Sequence, residues 1–463
     1  MDKKFKECNR EQMFLLPPSI RDWLPEDHLV YFIIDVVGQL DLSGIYSSYG
    51  GDGRGQPPYD PSMMVSLLLY AYSIGVPSSR RIEKATIEDI SFRVISANQN
   101  PDHDSICSFR KRHLEALAGL FVQVLKLCRE AGLVKLGHVA LDGTKVHANA
   151  SKHKAMSYGR MKKKEEELEL EVRELLRNAG VVDEKEDEKY GKGVRGDELP
   201  EELRRRESRL EKIREAKAVL EKEAREKAVV ELELAQDKIE KREKKAKVSG
   251  KRPRGRKPVL PDPEKAEPKD SAQRNFTDPD SRIMVGGSTK SFEQCYNAQA
   301  AVDDAHQVIV ACGVTNESND KRQLKPTVES IKTNIGKHPR KLTADAGYFS
   351  EDNVKVLEKE GIDGYIATGK MKHGEVVPPV FGNPPETMSV KGRMSWKLRT
   401  DCGRKVYSKR KAVVEPVFGQ IKGVRGFRQF LLRGIDNVSC EWDLWCITHN
   451  LLKLHRFGSY SAV

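Results

Sequence analysis

"HVALDGTKVHAN", residues 138–149, decides how the chain is read. Val139, Ala140 and Leu141 make an apolar run suited to a buried strand, and the run ends on Asp142, followed at once by Gly143, Thr144 and Lys145. A carboxylate at the end of a buried strand costs free energy unless a charge compensates it. The stretch therefore predicts a partner for Asp142. A second stretch, "KLTADAGYF" at 341–349, repeats the pattern: a short strand ends on Asp345, and Ala346 and Gly347 follow. Taken singly, each aspartate reads as a turn or cap residue. Taken together, they put two carboxylates at the carboxyl edge of a sheet, where open α/β folds bind ligands.

The elements between and after these strands support an α/β reading. "SFEQCYNAQAAVD" and "QVIVACGVT" are two strands joined by the turn "DDAH", hence a hairpin. A helix is predicted over 320–335, stopped by Gly336, and another from Ser350 to Gly361. "DGYIAT" is a further short strand, residues 408–424 a helix, and "CEWDLWCITHNLLKLHRF" a last amphipathic helix. Trp442, Trp445 and Leu452 recur in it at helical spacing and read as core. A third acid is expected on a helix packed over the sheet edge. In "YSKRKAVVEPVFGQIKGVRGFRQF", Lys411, Glu415, Phe418 and Lys422 share one helical face, with Pro416 directly after the acid.

The order strand-Asp, hairpin, helix, strand-Asp, helix with Glu is that of a ribonuclease H-like core. With the motifs "ALDGTKV", "NFTDPDSR…YNAQAAVD", "LTADAGYFS" and "YSKRKAVVEPVFGQIK", the chain resembles the DDE transposases of bacterial insertion sequences over nearly its whole length. In that family's Tyr, Arg, Glu, Lys signature the last two residues align as Glu415 and Lys422. Its Arg then falls on Lys411 and its Tyr on Ser408, with Tyr407 and Arg410 one residue early. The resemblance implies an enzyme in which Asp142, Asp345 and Glu415 are catalytic. Three converging carboxylates repel one another unless divalent cations lie between them, and oxygen-only ligation suits two Mg²⁺ or Mn²⁺ ions. Asp142 would bridge the pair, and Asp345 and Glu415 would hold one ion each. The implied reaction is hydrolysis at the transposon ends, then attack of the freed 3′-hydroxyl on target DNA.

The partner so implied is double-stranded DNA, as terminal inverted repeats and as target, with a homodimer in the synaptic complex. Charge agrees: 81 Lys and Arg against 69 Asp and Glu favour a polyanion. Phosphate contacts are expected from Arg410, Lys411, Lys422, Arg425 and Arg428 beside Glu415, and from Arg110, Lys111 and Arg112 in the N-terminal region. His147 lies too far past Asp142 for a ligand and reads as a surface residue.

Residues 1–132 read as an all-α, helix-turn-helix-like DNA-binding domain preceding the mixed sheet and its flanking helices. In it, "DHLVYFIIDVVGQL", a helix from Pro61 to Gly75, and two short helices lead to the basic "SFRKRH". Residues 133–150 carry the first catalytic strand, and 273–463 the remainder of the catalytic domain. Between them, 151–272 is an insertion: charged helices over 157–178 and 200–247 form a hairpin with too few apolar positions for a core of its own, and a basic Pro-rich linker follows. In that linker "PRGRKP" resembles an AT-hook, with Arg254 and Arg256 around Gly255, although a solvated linker is the preferred reading. Eight scattered Cys without a CxxC pair exclude a disulfide framework and a zinc knuckle. The longest apolar stretch, 63–76, is too short for a membrane span and the N-terminus lacks a signal-peptide core, so a cytoplasmic, nucleoid-associated protein is expected. Two rival readings stand: a nuclease of the same fold that transfers nothing, and an inactive DNA-binding protein.

Overall fold

The computed structural model describes residues 19–49, 57–190, 201–249, 259–285, 291–369, 378–385 and 387–458. "PRGRKP" falls outside them. In chain order the elements are α1 (Leu29–Gln39), α2 (Ser43–Tyr46), α3 (Pro61–Ser73), α4 (Ser79–Glu88), α5 (Ile90–Ile95), α6 (His103–Arg112), α7 (Leu114–Glu130), β1 (His138–His147), β2 (Ala155–Ser157), α8 (Tyr158–Tyr190), α9 (Glu201–Ser249), β3 (Gln273–Asn275) and β4 (Arg282–Val285). The second half contributes β5 (Phe292–Asp303), β6 (Ile309–Thr315), α10 (Leu324–Ile335), β7 (Lys341–Ala344), α11 (Glu351–Lys359), β8 (Asp363–Ile366), α12 (Val390–Arg399), α13 (Asp401–Phe418) and α14 (Ile435–Phe457).

Two compact units result, one formed by the residues up to Ala148 and from Tyr296 on, the other by Asn149–Cys295. In the first unit the strands run in the order β6-β5-β1-β7-β8. β5 and β6 are the antiparallel hairpin, and β1, β7 and β8 are parallel. β1 is therefore central, which is why Val139, Ala140 and Leu141 are fully buried. α10 ends at Gly336, whose left-handed backbone (φ 83°) supplies the cap expected of it.

The N-terminal helices are not a separate body. α14 packs against α7, α3 and β6, and the Tyr72 and Trp445 rings meet at 5.1 Å. The boundary expected near residue 132 is absent because one helix closes both cores. That helix is also not amphipathic: Trp442, Leu444, Trp445, Ile447, Leu451 and Leu454 are buried together with Glu441, Thr448, His449 and Asn450, as befits a helix covered on all sides. Trp442 and Trp445 are core, as read from the sequence, and Leu452 is half-buried.

Buried polar groups here all need partners. The fully buried Glu441 accepts hydrogen bonds from the Leu431 and Leu432 N–H groups at 3.0 and 2.9 Å. Burial pushes its carboxyl up to about 7, with those amides and Arg110 acting in the opposite direction. The folded protein thus keeps a proton that the unfolded chain has lost, and stability falls as pH rises from the ordinary carboxyl range to about 7. Thermal unfolding of the wild type and of Glu441→Gln, compared between about pH 5 and about pH 8, should show a shallower decline in the variant. Identical pH profiles would remove Glu441 from this role.

The second unit is the insertion. β2 and β3 pair antiparallel, Ala155 opposite Asn275 and Ser157 opposite Gln273, and β4 pairs antiparallel with the first residues of β5. The long helices α8 and α9 pack together with a core of their own, contrary to expectation: Tyr158, Met161, Leu168, Leu210, Ile213, Ala216 and Leu220 are buried, with Met156, Ala272 and Phe276 against them. Their spacing of three, four or seven residues supplies one apolar stripe per helix, enough for a two-helix seam. Ion pairs flank it, Arg206 with Glu171 at 2.9 Å and Lys217 with Glu165 at 2.9 Å. Among the described residues no helix is long and apolar enough to cross a membrane.

Candidate active site

The register of β1 and β7 sets the site. Their parallel ladder ends at the pair Leu141 and Ala344, so Asp142 and Asp345 follow at the same level on adjacent strands. Asp345 caps a 3₁₀ turn, its Oδ1 accepting from the Gly347 N–H at 2.8 Å, and Asp142 Oδ1 accepts from the Gly143 N–H at 3.0 Å. β1 does not stop at its aspartate as expected. It continues to His147, whose N–H donates to Arg428 O at 3.2 Å and whose carbonyl accepts from Phe430 N at 2.9 Å. What the aspartates share is the end of their mutual pairing.

Opposite Asp142 stands Arg410 of α13, Nη1 to Oδ2 at 2.9 Å, the two side chains 10% and 21% exposed. This is the compensating charge that a strand-terminal carboxylate requires. Burial pushes the Asp142 carboxyl up to about 6; Arg410 opposes the rise and Asp345 adds to it. Tyr407, one helical turn earlier, is raised by burial, with Arg410 opposing and Asp345 and Asp142 adding. The two residues that sit one position early in the family signature are thus those that face the acids. Glu415 does not join them: it is exposed, and among the described residues no three acid, His or Cys side chains are grouped closely enough to hold a metal ion. It lies five positions after Arg410, which turns the two side chains roughly 140° apart on a helix. The expected convergence of three acids is met by Asp142 and Asp345 alone.

Two family profiles match the chain, one described as "Transposase domain" over residues 18–112 and one described as "Transposase DDE domain" over residues 270–451. The chain belongs to the DDE transposases. Its sheet has the ribonuclease H-like order that the sequence led us to expect. Asp345 and Glu415 lie inside the DDE match and Asp142 outside both. No curated protein and no solved structure matches the transposase.

Of the cations assigned to DNA, the transposase exposes Lys111, Arg112, Lys411 and Arg428. It turns others inward, which corrects their reading. Arg110 is 5% exposed and donates to Pro77 O at 2.8 Å, Tyr72 Oη at 3.2 Å and Ser79 Oγ at 3.3 Å. Arg425 is 6% exposed, donates to Thr448 Oγ1 at 2.7 Å and lies 5.3 Å from the centre of the Trp445 ring; burial pulls its pKa down to about 10. Arg410 is committed to Asp142. Lys422 donates from Nζ to Thr144 Oγ1 at 2.9 Å and Lys145 O at 2.7 Å, fastening the part of β1 just past Asp142. His147 is exposed, as read.

The sequence reading missed a polar layer beside the acids. Asn297 and Gln299, each 2% exposed, alternate on β5, and both donate to Asp320. The signal was present in "YNAQAAVD": two amides at strand period inside an apolar run must have buried partners.

Proposed function

We propose that this transposase binds the ends of its insertion sequence, cuts the DNA there and transfers the freed 3′-hydroxyl ends to target DNA. The carrying observation is the placement of Asp142 and Asp345 side by side at the end of the β1–β7 ladder. Two neighbouring carboxylates, one pushed toward its neutral form by burial and by the other, fit a hard divalent cation, Mg²⁺ or Mn²⁺, held through oxygen. Asp142 and Asp345 would hold it. Glu415 enters as the third acid on the motif alone. Two such ions, when bound, supply the charge that activates the attacking oxygen and stabilises the leaving one in an in-line displacement at phosphorus.

The chain's own groups do the rest. Arg410 keeps Asp142 oriented and offsets its charge, the Gly143 and Gly347 amides fix one oxygen of each aspartate, and Lys422 holds the strand beyond Asp142. Lys411 and Arg428 face phosphates near the acids, and Lys111 and Arg112 face the terminal repeat, each contact adding to affinity and to its salt dependence. A homodimer pairs the two ends.

The test is to incubate the purified protein with Mg²⁺ and DNA carrying the element's own ends. Joined products support the proposal. Cleavage without joining would favour a nuclease of this fold, and DNA binding without cleavage an inactive DNA-binding protein.

A further inference from the structure

Asp320 opens the 3₁₀ turn Asp320–Arg322 ahead of α10. Its Oδ1 accepts from Asn297 Nδ2 at 2.7 Å and from Gln299 Nε2 at 2.9 Å, so one carboxylate oxygen is fully committed. Gln299 is itself immobilised: its Oε1 accepts from the buried Tyr348 hydroxyl and its carbonyl from Trp442 Nε1 at 3.0 Å. Asn353 adds a bolt between the two turns, donating from Nδ2 to Lys321 O and to Tyr348 O, both at 2.7 Å. The turn that begins at Asp320 and the turn capped by Asp345 are thereby fixed to one amide.

The second oxygen of Asp320 faces the turn that Asp345 caps. A Cβ placed on Gly347 would lie 3.0 Å from Asp320 Oδ2 and 3.0 Å from Asp345 Oδ1, so those oxygens border the same bare α-carbon and are no further apart than twice that distance. On the neighbouring strand a Cβ on Gly143 would run into Gln299 Nε2 and lie 3.0 Å from Asp320 Oδ1. The residue after Asp142 and the residue two beyond Asp345 thus both lack a side chain where this carboxylate approaches.

We infer that Asp320 is a positioning residue for the acid pair, a carboxylate locked by Asn297 and Gln299 beside Asp345 that strengthens the hold of Asp142 and Asp345 on a divalent cation. The inference rests on the reading of those two aspartates as a cation site. It assigns Asp320 no direct ligand bond. Its charge acts through Asp345, in the way that groups behind metal ligands commonly change affinity about 10- to 100-fold.

Asp320→Asn separates this role from a structural one, because the amide keeps an oxygen to accept from Asn297 and Gln299 and removes only the charge. Mn²⁺ is titrated into the full chain without DNA, free Mn²⁺ being read by electron paramagnetic resonance, for wild type, Asp345→Asn and Asp320→Asn. Affinity should fall about tenfold or more in Asp320→Asn, with the metal-free unfolding midpoint unchanged. Wild-type affinity in Asp320→Asn, with binding lost in Asp345→Asn, would overturn this inference alone. Equal Mn²⁺ binding by wild type and Asp345→Asn would overturn the cation site and this inference with it. A lower metal-free midpoint with unchanged affinity would make Asp320 structural only. If Asp320→Asn does not fold, Gly347→Ala keeps every partner of Asp320 and sets a methyl group against both oxygens; undiminished Mn²⁺ affinity there would count against the inference equally.

Discussion

DNA cleavage and joining should fall at least about a thousandfold in Asp142→Asn and in Asp345→Asn, since the charge stabilisation supplied at such a site is worth several kcal/mol and each factor of ten in rate needs about 1.4 kcal/mol. Asn matches Asp in shape and can still accept from the Gly143 or Gly347 amide, so the fold should persist. In Asp142→Asn the Arg410 guanidinium loses its counter-charge at 2.9 Å, and DNA affinity should hold or rise because an anion facing phosphates has gone. Glu415→Gln should show the same collapse if the motif assigns its role correctly. Wild-type rates in Glu415→Gln would leave the acid pair as the whole ionic ligand set. Wild-type rates in either aspartate variant would remove the proposed chemistry altogether. The readout is single-turnover cleavage and strand joining on end-bearing DNA, with affinity measured separately.

Arg110→Met should destabilise the protein by about 1–3 kcal/mol, the cost of leaving buried hydrogen-bonding groups without their partner. The guanidinium has three acceptors, Tyr72, Pro77 and Ser79, and it offsets the buried Glu441. Met fills much of the volume and replaces none of this. Lys111→Ala and Arg112→Ala should behave oppositely: stability barely moves, while DNA affinity drops and its dependence on salt becomes shallower by about one ion for each phosphate left without its cation. Denaturant unfolding together with DNA titration at several salt concentrations distinguishes the two classes. A normally stable Arg110→Met with a reduced salt slope would restore Arg110 to the DNA surface.

The contrast within "SFRKRH" shows where the sequence was readable and where it was not. The helix and its basic end were visible from local spacing, but a charged side chain is assumed to face water unless its acceptors are known, and those of Arg110 lie more than thirty residues away. Arg425 misleads for the same reason: Thr448 and Trp445 belong to a helix whose burial on all sides its Glu, His and Lys residues conceal. Asp142 and Asp345 were legible because each carries its own local pattern, apolar run, acid, small residue, and the parallel register only had to bring two equal patterns level. The helix phase of α13 was not legible. Arg410 and Glu415 could each have been the inward residue on spacing alone, and packing of Val413, Val414 and Val417 into the core settles it in favour of Arg410. The seam between α8 and α9 was underestimated because its apolar positions are few, although regularly spaced.

The short β2–β3 ladder matters for the order in which the chain can fold. β1 leaves the ribosome long before its partner β7, and at typical synthesis rates the delay is on the order of ten seconds or more. Joining distant segments costs loop entropy that grows with the length of free chain between them. Ala155 and Asn275 are paired, and Phe276 N donates to Lys154 O at 3.0 Å, so once the insertion has folded around its own seam, its entry and exit are side by side. The intervening residues then stop counting as free chain. For the search by which β1 finds β5 and β7, the nascent protein is shorter than its sequence by the whole length of the hairpin.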